Sequence, residues 1–406
     1  MPAPTTAKTT MPVAPLKIIY LKGSEEIADA VNQYLIRRRR DLSRKNKDLE
    51  MCPGYLESTY LIRTHYSRFG TGEGRVRLDD SIRGTDLFII GDVTNYTQTL
   101  KVCGHENRMS PDNYFQDIKR IISAVSGKAH RISVVLPFLY ESRQHRRTSR
   151  ESLDCAMALR ELADYGVSNI ITFDAHDPRV MDAIPLISFD NFMPTYQFLK
   201  ALLKSVPDIS FDKDHFMVIS PDEGAMDRAV YFANILGADM GTFYKRRDYS
   251  KIVNGKNPIV AHEFLCTDLA GKDAIIIDDM ISSGGSILDT SRQLEEKMHA
   301  RRVFLCTTFG LFTDGLDVFD EAYAKGYFDK LVTTNLTYQP AELADREWFE
   351  PADMSKYAAM IIDFINHDIS VSNMRSPTEK IHGIIEKINR NEQSEFEQMQ
   401  FEQVEF

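Results

Sequence analysis

The stretch Ile275-Ile276-Ile277-Asp278-Asp279-Met280-Ile281-Ser282-Ser283-Gly284-Gly285-Ser286 limits what this chain can fold into more than any other. It begins as an apolar run of strand type behind Gly271 and Lys272, then passes through two carboxylates into hydroxyls and glycines. Ile287, Ser291, Leu294 and Met298 follow at helical spacing, which predicts strand, loop and helix N-terminus in succession. Such a junction presents unpaired backbone N–H groups and the positive end of a helix dipole, the combination that holds a phosphate. Gly284 and Gly285 let the backbone approach a ligand with no Cβ in the way. Ser282, Ser283 and Ser286 add hydroxyl donors. Asp278 and Asp279 close the strand and suit ribose hydroxyls or a hydrated Mg²⁺ better than a phosphate. On these residues alone, an ordinary βα turn with an acidic rim stays open.

The remainder of the chain supplies context. Its 406 residues, 43% of them apolar, allow roughly two to three domains with real cores. Lys+Arg 49 against Asp+Glu 59 gives a net charge of −10, which argues against a nucleic-acid binder and requires local basic groups for any anionic substrate. The five cysteines show no CxxC pair and no zinc spacing, so free thiols in a reducing cytoplasm are expected. No apolar run approaches the roughly 18 residues that span a bilayer, so no membrane partner is expected.

Strands are expected at 17–21, 87–90, 132–137 and 169–173, with helices from Ser24 to about Arg40, from Pro111 to Ala124 and up to Tyr165. Ser24 and Ser110 are the expected N-caps. The basic run Arg37–Arg40 reads as a solvated helix end. A second round starts near Asp190, with helices at 193–203, 226–236 and 355–366 and strands at 216–219, 242–244, 303–307 and 331–334. The apolar face of the middle helix is Met226, Ala229, Val230 and Ala233. This alternation is the mark of parallel sheets covered by helices, with the ligand crevice at the strands' carboxyl ends. The expected division is a flexible start at 1–15, α/β domains at 16–190 and 191–373, and a Glu/Gln-rich tail at 374–406. The polar stretch 248–268 reads as a mobile flap.

Several clusters suit a phosphorylated sugar and a nucleotide. Lys245-Arg246-Arg247 is a compact positive block directly after a strand. His176 and Asp222 each stand just past a predicted strand, as candidate Mg²⁺ ligands or water-holders. Arg143, Gln144 and Arg146, with Glu73, suit nucleotide phosphates, and Phe69 suits stacking on a base. No Ser–His–Asp set, Cys–His pair or P-loop is present. Cationic and metal chemistry without a protein nucleophile fits phosphoryl or pyrophosphoryl transfer.

The segments around RFGTGEG (68–74), SIRGTDLFIIG (81–91), VLPFLYESRQHRRT (135–148), TFDAHD (172–177), ISPDEGAMDRAV (219–230), YKRRD (244–248) and IDDMISSGGSI (277–287) occur in the order seen in ribose-phosphate pyrophosphokinases. The chain resembles that family across roughly residues 16 to 373. The resemblance implies an α/β fold of two tandem phosphoribosyltransferase-like domains, each a parallel sheet flanked by helices. It implies transfer of the β,γ-pyrophosphoryl group of ATP to ribose 5-phosphate, with Mg²⁺, in a homo-oligomer such as a hexamer. By position, Phe69, Thr71, Gly72, Glu73, Arg143 and Gln144 bind ATP, and His176 and Asp222 hold Mg²⁺. Lys245 and Arg247 are catalytic. Asp278, Asp279, Ser282, Ser283, Gly284, Gly285 and Ser286 bind ribose 5-phosphate.

Departures mark a divergent member. Thr71 and Ser282 stand where the family usually carries Asp, His145 replaces an Asp after Arg-Gln, and Asp177-Pro178-Arg179 follows the histidine. The lost carboxylates motivate the rival reading of a catalytically quiet, nucleotide-binding regulatory homologue. A phosphoribosyltransferase that consumes the product would need only one such domain.

Overall fold

The computed structural model describes residues 10–147, 149–247, 259–265, 268–375 and 377–389. The chain divides into two compact units. The first runs up to Met193 and takes in 335–338 and 353–375; the second holds Pro194–Thr334, Gln339–Ala352 and the residues after 375. The span 353–375, expected within a second domain at 191–373, thus clusters with the first unit.

In the first unit β1 (Leu16–Tyr20), β2 (Asp86–Ile90), β3 (Arg131–Val135), β4 (Asn169–Phe173) and β5 (Ser188–Phe192) form a parallel sheet in sequential order. One face, through Ile19, Leu87, Ile89, Val134 and Ile170, packs on α2 (Pro111–Val125) and α3 (Asp154–Asp164). Helix α2 starts as predicted: the Ser110 hydroxyl accepts from Asn113 N–H and the Asn113 side chain accepts from Ser110 N–H, a closed capping box. Two hairpins, Thr64–Arg68 with Gly74–Leu78 and Thr99–Val102 with His105–Arg108, stand outside the sheet.

Helix α1 (Glu25–Lys45) packs on α8 (Ser355–Asn366). Here the sequence reading needs correcting. The helix does not stop near Arg40 but runs one turn further, so Arg39 is an interior residue facing α8 instead of a solvated end. Arg39 is fully buried, with Nε donating to Asp363 Oδ1 at 2.9 Å and Nη2 to Asn366 Oδ1 at 2.5 Å. Its guanidinium lies over the rings of Tyr55 and Tyr60 at 4.8 and 4.9 Å. Arg38 Nε reaches the other Asp363 oxygen at 2.8 Å. Burial alone would push the Asp363 carboxyl up, but Arg39, His367 and Arg38 outweigh it and hold it below its ordinary range. Ser24 is also not a side-chain cap: its hydroxyl accepts from Asp92 N–H at 2.9 Å, fastening the end of β2 to the start of α1. Within the expected flexible start, residues 10–15 are tied down by Val13 N–H to Asn366 O and by Asp86 N–H to Pro15 O; residues 1–9 lie outside the described residues.

The second unit is built on β6 (Phe216–Ser220), β7 (Asp239–Arg247), β8 (Ile259–Leu265), β9 (Asp273–Ile281), β10 (Arg302–Gly310), β11 (Lys330–Thr334) and β12 (Phe349–Ala352). The spatial order is β8-β7-β6-β9-β10-β11-β12, parallel throughout except for the β7–β8 pair. Strand β9 is buried on both faces. Ile275 and Ile277 join the core made with α4 (Thr195–Ser205) and α5 (Met226–Leu236). Ala274 and Ile276 join the core made with α6 (Gly285–Glu296) and α7 (Asp317–Ala324). A strand covered twice cannot alternate with polar residues, which is why it reads as a continuous isoleucine run. Each of those isoleucines contributes about 1.5–3 kcal/mol by leaving water.

Part of the expected flap is strand, since β8 pairs antiparallel with β7. The flap's remainder, 248–258 and 266–267, lies outside the described residues. Of the tail, Thr378–Asn389 is a helix whose Ile381 and Ile384 enter the α4–α5 core, and 390–406 lie outside. No helix among the described residues is long and apolar enough to cross a membrane. Cys52, Cys103, Cys155 and Cys306 are free thiols.

Replacing Arg39 by Ala would strand the buried Asp363 carboxylate. Chemical denaturation should show a loss of about 3–5 kcal/mol, far above the fraction of a kcal/mol expected of an exposed helix arginine.

Candidate active site

In the second unit the chain leaves β6, travels outward to β7 and β8, and returns as β9 on the other side of β6. The strand order therefore reverses between β6 and β9, and in open α/β sheets ligands bind outside the carboxyl ends of the strands at such a reversal. Asp222 stands two residues past β6, while Asp278 and Asp279 are the sixth and seventh of the nine residues of β9. The strand continues to Ile281, so the two carboxylates do not close it as expected.

The crest is fixed from below. Asp222 Oδ1 accepts from Gly224 N–H at 3.0 Å and Ala225 N–H at 3.3 Å, capping a short 3₁₀ turn that feeds α5. Asp279 N–H donates to Asp278 Oδ1 at 2.9 Å. Arg228, on the first turn of α5, is buried and sends Nη1 and Nη2 to within 3.7 Å of Asp278 Oδ1 and Asp279 Oδ2. Val230, on the expected apolar face of α5, is exposed, and Arg228 turns inward instead. Burial pushes the Asp278 carboxyl well above its ordinary range, Asp279 adds to this, Arg228 opposes it, and Asp222 raises it further. Two hard oxygen acceptors beside one guanidinium have the chemistry that suits hydroxyl donors or a partly hydrated cation.

The loop past β9 bears out the junction read from its residues. Gly284 is the N-cap of α6 at φ +87°, with no side-chain cap. The first helical bond runs from Leu288 N–H to Gly284 O at 3.0 Å, so the N–H groups of Gly285, Ser286 and Ile287 precede the ladder. A Cβ at Gly284 would drive into the ring of Phe319. Ser283, Gly285 and Ser286 are exposed, whereas Ser282 is half-buried and braced by Thr313 N–H to its carbonyl at 3.0 Å. Lys245 and Arg247 are among the last residues of β7, inside the strand instead of after it, and their side chains lie outside what the structure describes.

The first unit carries the other predicted groups. Phe69, Thr71, Gly72 and Glu73 form the tip of the first hairpin. Phe69 is 56% exposed, Gly72 sits at φ +95°, and the Thr71 hydroxyl donates to Glu73 Oε2 at 2.8 Å. Arg143 is exposed, while Gln144 Nε2 is spent on Ser152 O at 2.8 Å, holding its own loop. His176 lies beside His145, ring centroids 5.2 Å apart, and His145 Nε2 is 3.6 Å from Asp177 Oδ2. Burial, then His176 and Arg146, keep His145 below its ordinary value against the pull of Asp177. The bond from Arg179 brings Asp177 down to about 2. His176 belongs to the first unit and Asp222 to the second, each with its own neighbours.

Two tandem phosphoribosyltransferase-type domains, one ending in a carboxylate pair and a glycine-capped helix, define the class. Residues 16–166 match the N-terminal domain of ribose phosphate pyrophosphokinase, and residues 197–335 match the phosphoribosyl transferase domain. The chain is 27% identical over 310 residues to the ribose-phosphate pyrophosphokinase of Pasteurella multocida, covering 76% of this chain and 89% of that one. It is 31% identical over 248 residues to the Corynebacterium efficiens protein of the same name, covering 61% and 69%. A crystal structure of phosphoribosylpyrophosphate synthetase from Mycobacterium smegmatis shares the fold, with a TM-score of 0.66, 21% identity, and coverage of 87% of this chain and 99% of that one. The chain belongs to the ribose-phosphate pyrophosphokinase family.

Two substitutions test the junction. Asp278→Asn should raise stability at neutral pH by about 1 kcal/mol, because the raised carboxyl is penalised when ionised. The sign follows from linkage: below the ordinary carboxylate range both folded and unfolded chains are protonated, so the advantage should vanish in thermal melts at acid pH. Gly284→Ala should cost about 1–3 kcal/mol from backbone strain and the collision with Phe319, read by the same melts.

Proposed function

We propose that this chain is a ribose-phosphate diphosphokinase. The 1-hydroxyl oxygen of ribose 5-phosphate attacks the β-phosphorus of ATP, the bond from that phosphorus to the α–β bridging oxygen breaks, and AMP leaves with the bridging oxygen. The product is 5-phosphoribosyl 1-pyrophosphate. The observation that carries the reading is the junction at the strand-order reversal, where Asp278 and Asp279 precede the glycine-capped start of α6.

The 5-phosphate would rest on the N–H groups of Gly285, Ser286 and Ile287 and on the hydroxyls of Ser282, Ser283 and Ser286. Asp278 and Asp279 would accept from the ribose hydroxyls, with Arg228 balancing their charge. The exposed ring of Phe69 would stack on adenine, while Glu73, Arg143 and the remaining Gln144 oxygen would orient the nucleotide. Thr71, donating to Glu73, would fix that carboxylate where the family usually places a second one. Lys245 and Arg247 would stabilise charge on the transferring group.

The acceptor chemistry suits Mg²⁺, a hard ion that keeps several waters and is bound by one or two carboxylates plus substrate phosphates. Among the described residues no three His, Cys, Asp or Glu side chains gather into a chelating group. Asp222 and His176 would hold the Mg²⁺ ion. When bound, it neutralises negative charge on the phosphate oxygens. A homo-oligomer in the cytoplasm, with a hexamer as the expected order, completes the reading.

AMP release from ATP should require both ribose 5-phosphate and Mg²⁺, and EDTA should abolish it. Lys245→Ala should lower kcat by about 10²–10³ with little change in KM. ATP binding with no AMP formed under any of these conditions would instead favour the regulatory homologue.

A further inference from the structure

The second hairpin, Thr99–Val102 with His105–Arg108, carries none of the groups assigned to ATP or ribose 5-phosphate, yet its tip meets the turn assigned to the nucleotide. Along its first strand the residues alternate. Thr99 and Lys101 are exposed while Leu100 and Val102 are half-buried, the period of a strand covered on one face. Leu100 packs against the core of the first unit, as do Tyr66, Val76 and Leu78 of the first hairpin. Val102, two residues on, leans the same way.

Two contacts join the tips. Cys103 N–H donates to Gly70 O at 2.7 Å. Val102 covers Gly72, where an added Cβ would lie 3.1 and 3.4 Å from the two valine γ-carbons. Gly72 stands at φ +95°, so glycine serves twice, by permitting the turn and by leaving room for the valine. Inside the turn, Gly72 N–H donates to Phe69 O and Phe69 N–H to Glu73 O, both at 2.9 Å. Bonds within an exposed turn open readily unless something outside it holds them shut. The base of the first hairpin is secured separately by α2. Arg68 Nη2 donates to Asp117 Oδ2 at 2.5 Å, Arg120 Nη1 donates to Asp117 Oδ1 at 2.8 Å, and the Arg120 guanidinium lies against Gly74. The base thus leans on α2 and the tip on the second hairpin.

A binding loop that must be ordered as the ligand arrives loses that ordering cost from its affinity, and one held in shape beforehand does not. We propose that Val102 is a positioning residue for the nucleotide. Through its contact on Gly72, backed by Cys103 N–H on Gly70 O, it keeps the turn 69–73 in the shape that presents Phe69 and Glu73 to ATP. This inference rests on the assignment of ATP to that turn under the proposed function. It concerns the donor nucleotide alone, because the acceptor groups belong to the second unit.

Three variants of the full chain test it: Val102→Ala, Val102→Ile, and one with an Asn-Gly turn in place of residues 99–108. The replacement is feasible because Met109 N–H donates to Gln98 O at 2.8 Å, which brings the feet of the hairpin together. The readouts are hydrogen exchange of the amides at 69–73, ATP affinity by calorimetry, and KM for each substrate. Exchange at Gly72 should quicken about tenfold in the replacement and by a smaller factor in Val102→Ala. The Kd and KM for ATP should rise about tenfold in the replacement and about threefold in Val102→Ala. The KM for ribose 5-phosphate and kcat at saturating ATP should not move, and Val102→Ile should match the parent chain throughout. Unchanged exchange in both the replacement and Val102→Ala overturns the brace. Faster exchange with unchanged ATP affinity overturns the positioning role. Parallel losses in kcat and in the KM for ribose 5-phosphate overturn it as well, since they mark a general loss of structure. A parent chain that binds ATP but releases no AMP counts against the proposed reaction only, because exchange and ATP affinity still decide the role of Val102. A parent chain that binds no ATP overturns both.

Discussion

The hydrogen-bonded adjacency of β6 and β9 is the constraint on which the rest of the second unit depends. The two strands are separated in sequence by β7, β8 and the segment between them, yet they pair in parallel from Phe216 with Asp273 to Ile219 with Ile276. That pairing places the chain's reversal at their carboxyl ends and brings Asp222 up to Asp278. It also turns α5, which follows β6, so that Arg228 reaches both carboxylates. Two carboxylates in adjacent positions would repel each other in an apolar setting, and a single buried guanidinium between them keeps the pair tolerable. Burial, with Asp279 beside it, still holds the Asp278 carboxyl above its ordinary range.

The first unit is stabilised by a different kind of interaction. Arg39 and Asp363 meet out of water, with the Arg39 guanidinium over two tyrosine rings and with Asn366 and Arg38 adding further hydrogen bonds. Breaking such a pair costs far more than making it contributes, so it serves to fix α8 on α1 more than to add net stability. Through Asn366 the same network reaches Ala14 O and the buried Asp86 carboxylate, which Arg131 holds at 2.7 and 2.9 Å. A helix that lies near residue 360 in the sequence is thereby bound to the first strands of the chain.

The sequence was informative wherever a local rule set the outcome. The Ser110-Pro111 start, the strand 169–173, the helix 355–366 and the glycine-capped junction after β9 all follow from capping, period and backbone freedom within a few residues. It misled wherever a long-range partner decided. Arg37–Arg40 has the composition of a solvated helix end, and nothing nearby says that Asp363 will bury one member of the run. Val230 fits the apolar stripe of α5, yet the carboxylate pair on β9 pulls Arg228 inward instead. Ser24 has the residue type of an N-cap, but Asp92 N–H takes its hydroxyl.

By itself, the sequence determined the two rounds of β and α segments, the strand–loop–helix junction of residues 275–286 and the family, because these rest on short-range spacing and on ordered motifs. Only the tertiary structure decided that β9 lies beside β6, that Arg228 belongs to the carboxylate pair, that α8 completes the first unit, and that the tip of the second hairpin meets the tip of the first. Each of these requires groups far apart in the chain to come into contact. Pairing of that kind is set by the sum of packing and hydrogen bonding over the whole fold, which no local pattern records.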